Sequence, residues 1–254
     1  MHLDWRYKLT LVLVAASLAI YGLNYLIFRD VGSMMRLFFG QLGFLPLSII
    51  VVTLVINQLL ATRAQQARLH KMNMVIGAFF SEVGVALLKR CLAFDPQRRQ
   101  LWEAFASITQ WTREDFHRAA DILAAHPYPV DPRGGDLADL RLFLITKRDF
   151  LLRLLENPIL LEHEAFTNLL WAVCHLGEEL GYRREVSRIP PADLEHLAGD
   201  LQRAYRLLAA EWLAYLGYLK RAYPHLFSLA ARINPLNPRA RVEIQEPPAP
   251  AEDP

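Results

Sequence analysis

Glu114-x-x-His117 and Asp193-x-x-His196 combine residue types and spacing suited to metal chemistry. Residues three apart on a helix project from one face, so each pair can offer a carboxylate and an imidazole to one centre. Glu82 and Glu103 are the carboxylates that two further helices can add, in the manner of di-iron bundles. Position weakens this reading. Glu114 follows Thr112 and Asp193 follows Pro191, both in predicted first turns, where acids favour the helix dipole without any metal. Eight histidines in a helical chain also produce such spacings by chance.

A second gathering holds His163 and His175 with Glu162, Glu164, Glu178 and Glu179 on one predicted helix. His175 and Glu179 stand one turn apart and are suited to a hydrogen-bonded pair. A solvated charged face accounts for the group, because general acid–base work needs a facing nucleophile that the sequence does not indicate. No phosphate loop, dinucleotide fingerprint, nucleophile elbow or paired-cysteine motif is present. Cys91 and Cys174 sit in apolar helical contexts and read as buried thiols in a reducing compartment. No cofactor is predicted.

The elements that position these residues begin with two apolar runs. Leu9 to Phe28 is twenty residues without a charge, and a rise of ~1.5 Å per residue matches it to a ~30 Å hydrocarbon core. Leu37 to Leu60 is a second uncharged run of 24 residues, with Pro46 as a tolerated kink. Trp5, Tyr7, Tyr21, Tyr25 and Phe28 gather toward the ends of the first run, where amphipathic rings favour the interface. A signal peptide cleaved after Ser17 and Ala19 is disfavoured, because the apolar run continues nine residues further. The connection from Arg29 to Arg36 is eight residues, which predicts a transmembrane hairpin and leaves no room for an external ligand-binding domain. Arg6, Lys8, Arg63, Arg68 and Lys71 flank the pair on one side and Arg29 and Arg36 on the other. The positive-inside bias then places both chain ends in the cytoplasm. Asn24 and Gln41 lie at similar depth, which predicts an interhelical hydrogen bond.

Residues 63–235 read as a cytoplasmic helical domain and 236–254 as a disordered tail rich in proline and acids. Residues 61–254 hold 24 basic and 24 acidic residues, so nothing points to nucleic acid. Met72 to Arg90 is apolar but contains Asn73, Ser81 and Glu82. A carboxylate at mid-span costs on the order of 3 kcal/mol, so the stretch is predicted as a core helix rather than a third span. On a helical wheel Asn73, Gly77, Ser81 and Gly84 form a small-residue packing face, opposite Val75, Ile76, Phe79, Phe80, Val83 and Leu87.

Further helices follow: from Asp95-Pro96 to Gln110, from a Thr112–Asp115 capping box to Ala125, from Asp136 to Glu156, from Ile159 to Leu180, and from Pro190-Pro191 to Tyr223. A short one begins at Pro224. The fold class is all-α. Lys89, Arg90, Arg98 and Arg99 form a basic group that can meet anionic lipid, although a solvated face explains it as well.

Asn73 to Gly84 (NMVIGAFFSEVG), Glu195 to Asp200 (EHLAGD) and Tyr223 to Pro235 (YPHLFSLAARINP) give the chain a resemblance. It resembles an uncharacterised family of bacterial proteins that pair a two-span hairpin with a helical domain. The resemblance implies a bacterial inner-membrane setting and transfers no catalytic or binding residue. The leading reading is a membrane-tethered helical interaction or scaffold module, with the lipid bilayer and a protein partner or a second copy as its contacts. The alternatives are a metal-dependent bundle enzyme using Glu114, His117, Asp193 and His196, and an oligomeric channel or transporter subunit with polar character from Asn24, Gln41, Asn57 and Gln58.

Overall fold

The structure is a computed structural model that describes residues 5–238 and 240–243. Among the described residues every regular element is helical. The chain divides into two compact units, Met1–Gln66 and Ala67–Pro254.

In the first unit, α1 (Trp5–Phe28) is followed by α2 (Val31–Phe79), which runs on into the second unit. The connection is two residues rather than the eight expected. The Asp30 carboxylate shortens it by accepting the Gly32 and Ser33 amides at 2.9 and 3.3 Å, an N-cap that starts α2 at once. Arg29 takes the left-handed conformation between the two helices. Leu9–Ile27 and the apolar part of α2 are each long and apolar enough to cross a membrane, and their large side chains are exposed.

The second unit is organised around α9 (Pro191–Ala222), a 32-residue helix. Against it pack α8 (Glu164–Tyr182), α5 (Arg113–Ala125), α10 (Pro224–Arg232) and α3 (Val85–Ala93), with α6 (Leu137–Leu155) behind α8. α4 (Arg98–Phe105) and the single turn α7 (Pro158–Leu161) complete the set. Sequence chemistry fixes several ends. Thr112 and Asp115 form the expected capping box, and the Asp136 carboxylate accepts the Ala138 and Asp139 amides, each at 2.9 Å. Two expected helices are interrupted. The one from Asp95 starts only at Arg98, after a turn in which Asp95 Oδ1 accepts the Gln97 amide while Oδ2 is engaged in the core. The one from Ile159 breaks at Glu162–His163, where the His163 imidazole caps α8 by accepting the Phe166 amide.

Met72 to Arg90 contributes the centre of this core. Ile76, Phe79, Phe80, Val83 and Leu87 are buried, and Val75 packs against them. The helix is not regular throughout. Phe80–Gly84 forms a π turn, in which the wider i→i+5 spacing inserts one extra residue. Everything beyond it rotates by about 100° relative to the ideal wheel. Ordered packing also extends past Pro235. The Asn234 side chain accepts from Trp212 Nε1 at 2.8 Å and the Leu236 amide at 3.2 Å, and Leu236 is fully buried. Of the expected tail, residues 244–254 lie outside the described residues.

Candidate functional site

A cleft of about 490 Å³ opens in the second unit between the end of α2, α9 and α10. Its floor is aromatic: Phe80 stacks on Tyr215 with ring centroids 5.3 Å apart and lies 5.0 Å from Trp212. Gly77 makes the close approach of α2 to α9 possible, since a Cβ there would sit 2.6 Å from the Tyr215 hydroxyl oxygen. At one end the Tyr223 hydroxyl lies 3.1 Å and the Tyr218 hydroxyl 3.3 Å from His70 Nδ1. Burial pushes the Tyr215 and Tyr218 phenols up, and Tyr223 adds to the shift at Tyr218. Both are hydrogen-bonding groups rather than anions near neutral pH. Met74, Leu226 and Leu229 form an exposed apolar rim.

Three of the four small residues expected on one helix face, Asn73, Gly77 and Ser81, line this cleft. Gly84 does not. The π turn swings it into the core, where a Cβ would meet Phe80 at 2.4 Å and Phe79 at 2.9 Å, and brings Val85 to the cleft instead. Helical-wheel reasoning at a constant 100° has no way to register that extra residue.

Among the described residues, the metal-ligand alternative offered by sequence spacing is not brought together. Glu114 and His117 are exposed on α5, and neither belongs to a cluster of ligand atoms among the described residues. Glu82 pairs with Lys147 at 3.2 Å and Glu103 with Arg99 at 2.9 Å. Asp193 is gripped by the Arg183 guanidinium, with Nε–Oδ2 at 2.8 Å, which holds its carboxyl below the usual range. His196 turns instead toward Asp200, one turn further along α9. Nor is Glu179 the partner of His175, since Arg183 holds it at 2.7 Å. The basic group is largely engaged as well. Arg90 pairs with Asp139 at 2.7 Å and lies 4.2 Å over Phe143, Arg98 donates to the Asp95 carbonyl, and Arg99 has Glu103. In the first unit the Tyr21 hydroxyl donates to Gln41 Oε1 at 2.8 Å, and Asn24 lines a separate groove between α1 and α2 together with Tyr21 and Gln41.

Residues 1–60 match a family described as MJ1433, N-terminal helical domain, and residues 68–232 match Uncharacterized protein MJ1433, C-terminal helical domain. The chain is also 39% identical over 236 residues to Uncharacterized protein MJ1433 of Methanocaldococcus jannaschii, covering 92% of this chain and 95% of that protein. This chain belongs to the MJ1433 family. No solved structure matches it. The relative is archaeal, so the bacterial setting that the resemblance implied does not follow from it.

Within this family member one polar constellation escapes sequence reading. Asp95 is fully buried; its Oδ2 lies 2.8 Å from His126 Nε2 and accepts the Tyr205 hydroxyl at 3.1 Å, while Oδ1 accepts the Gln97 amide at 2.7 Å. His126 opens the proline-rich loop and Tyr205 belongs to α9, so the carboxylate ties three distant segments together. Tyr128, in the left-handed conformation, packs its ring edge-on against both His126 and Tyr205. Asp95 beside Pro96 looked like a helix cap, and no local pattern links it to partners 31 and 110 residues away.

Proposed function

We infer that the chain is a membrane-anchored helical interaction module whose cytoplasmic second unit receives an amphipathic helix of a protein partner in the aromatic cleft. α1 and the apolar part of α2 act as the bilayer anchor. The observation that carries the reading is the composition of the cleft. An apolar floor formed by Phe80, Trp212 and Tyr215 lies beneath an exposed rim of Met74, Leu226 and Leu229, with His70, Tyr218 and Tyr223 offering hydrogen bonds at one end. Apolar anchors at three- and four-residue steps on a partner helix fit such a groove, and the polar end fixes its direction. Leu226 and Leu229, one turn apart on α10, supply matching apolar contacts.

The test is chemical cross-linking in native membranes with the full chain and with Leu226→Glu and Leu229→Glu. These side chains are 44% and 43% exposed, so each variant should keep its stability within about 0.5 kcal/mol. Loss of the wild-type cross-linked species in folded variants supports the cleft as the docking surface; retention of that species in both variants rejects it. Resistance to alkaline extraction, with protease access to the second unit only from the cytoplasmic side, is expected of the anchor.

A further inference from the structure

Where α8 and α9 run side by side, the structure brings together a group that the sequence spacing did not select. His175 Nε2 lies 3.4 Å and His196 Nε2 3.3 Å from the same oxygen, Asp200 Oδ2. The donor atoms of the three residues all lie within 4.8 Å of one another. His196 and Asp200 are one turn apart on α9 and therefore share a face, and His175 comes across from α8.

Two features distinguish this group from an ordinary charged surface. Asp200 is 5% exposed, yet its Oδ2 accepts no hydrogen bond, although two imidazole nitrogens flank it. A buried carboxylate oxygen without a donor is costly, by about 1–3 kcal/mol or more. Its other oxygen faces Arg203 Nη1 at 3.4 Å, so the cation leaves Oδ2 free. The second feature is the spacing. An imidazole–carboxylate hydrogen bond closes to ~2.7–2.9 Å, as Asp95 and His126 do in the same chain at 2.8 Å. Ligand atoms bound tetrahedrally at ~2.0–2.1 Å stand ~3.3 Å apart, which matches the two nitrogen–oxygen distances at Asp200 Oδ2.

We propose that His175, His196 and Asp200 bind a divalent transition-metal ion between α8 and α9. Two imidazoles and one carboxylate suit a borderline-soft ion such as Zn²⁺. Both imidazoles are partly exposed, with side chains 45% and 57% accessible, so an ion can enter from solvent and keep an open position. A further carboxylate oxygen, Glu179 Oε2, lies 3.9 Å from His196 Nε2. Arg183 holds it, which places it as a neighbour that orients His196 rather than as a ligand. The site is separate from the aromatic cleft, whose lining includes none of these residues.

Calorimetric titration of the full chain in detergent with Zn²⁺ alone, and with Co²⁺ for its d–d absorption, tests the site. One ion per chain is expected, with the intense visible bands of four-coordinate Co²⁺. His196→Ala and Asp200→Asn should each weaken Zn²⁺ binding by about 100-fold or more, and Glu179→Gln by about 10-fold. His117→Ala, at the exposed pair on α5, should change nothing. Absence of stoichiometric binding to the wild type overturns the proposal, as does equal affinity in the His196→Ala and Asp200→Asn chains. Because His175 and His196 are half exposed, His175→Ala provides a second ligand variant if Asp200→Asn fails to fold, and the Co²⁺ spectrum of the wild type stands independently of any variant.

Discussion

Asp95 and Asp200 are both buried carboxylates with histidines at hand, and they differ in how the surrounding helices present those histidines. At Asp95 the side chain of His126 is itself 2% exposed, the N–O distance is 2.8 Å, and a tyrosine hydroxyl and a backbone amide also donate to the carboxylate. At Asp200 two imidazoles approach one oxygen at 3.3 and 3.4 Å without hydrogen-bond geometry, and both remain open to solvent. The first arrangement is satisfied and closed, suiting a structural tie. The second gathers ligand atoms within 4.8 Å of one another and leaves the central oxygen without a hydrogen bond. The same residue types thus become a staple or a ligand set according to distance, direction and access.

Substitution at the staple should give the largest effect. Asp95→Ala leaves the His126 ring, the Tyr205 hydroxyl and the Gln97 amide without their acceptor, and should destabilise the second unit by about 3–5 kcal/mol in chemical denaturation. If it instead lowered Zn²⁺ affinity with little loss of stability, the division of roles between the two sites would be wrong. Zn²⁺ at 100 times its dissociation constant should raise wild-type stability by about 2.7 kcal/mol, and leave Asp200→Asn unmoved. Tyr128→Phe sharpens the account of the staple, since the Tyr128 hydroxyl is buried without a partner. Removing it should leave stability unchanged or raise it by up to about 1 kcal/mol, measured as a denaturation midpoint. Asp200→Asn without metal should likewise leave stability unchanged or raise it by up to about 1 kcal/mol, because the oxygen it alters is buried without a donor.

A third buried acid separates these effects from a general pH response. Burial raises the Glu211 carboxyl, with His163 opposing more weakly. A raised folded-state value means that its stabilising contribution is complete below the unfolded carboxyl value, near 4.5, and is lost as pH rises through the folded value. Stability measured from pH 4 upward should therefore fall over that window in the wild type and fall less in Glu211→Gln. An identical profile in the two chains would show that another group governs the decline.

The elements themselves were largely legible. The capping chemistry of Thr112–Asp115 and Asp136, the proline at the start of α9, and the apolar periodicity around Phe79 and Phe80 are local signals, decided by residues within a turn or two. The candidate sites were legible only in fragments. His196 was selected with the wrong acid, because Asp193 satisfies the i,i+3 pattern on paper while Arg183, arriving from the end of α8, occupies it in three dimensions. Asn73, Gly77 and Ser81 kept their shared face, whereas the π turn moved Gly84 into the core.

Sequence by itself determined the two long apolar helices, the helical class and most helix starts, because hydropathy, periodicity and capping depend on near neighbours. Tertiary structure decided which acid meets which histidine, which glycine faces a cleft, and which carboxylate is left without a donor. Those outcomes depend on the docking of α8, α9 and the end of α2, where a shift of one residue around a helix exchanges a buried face for an open one.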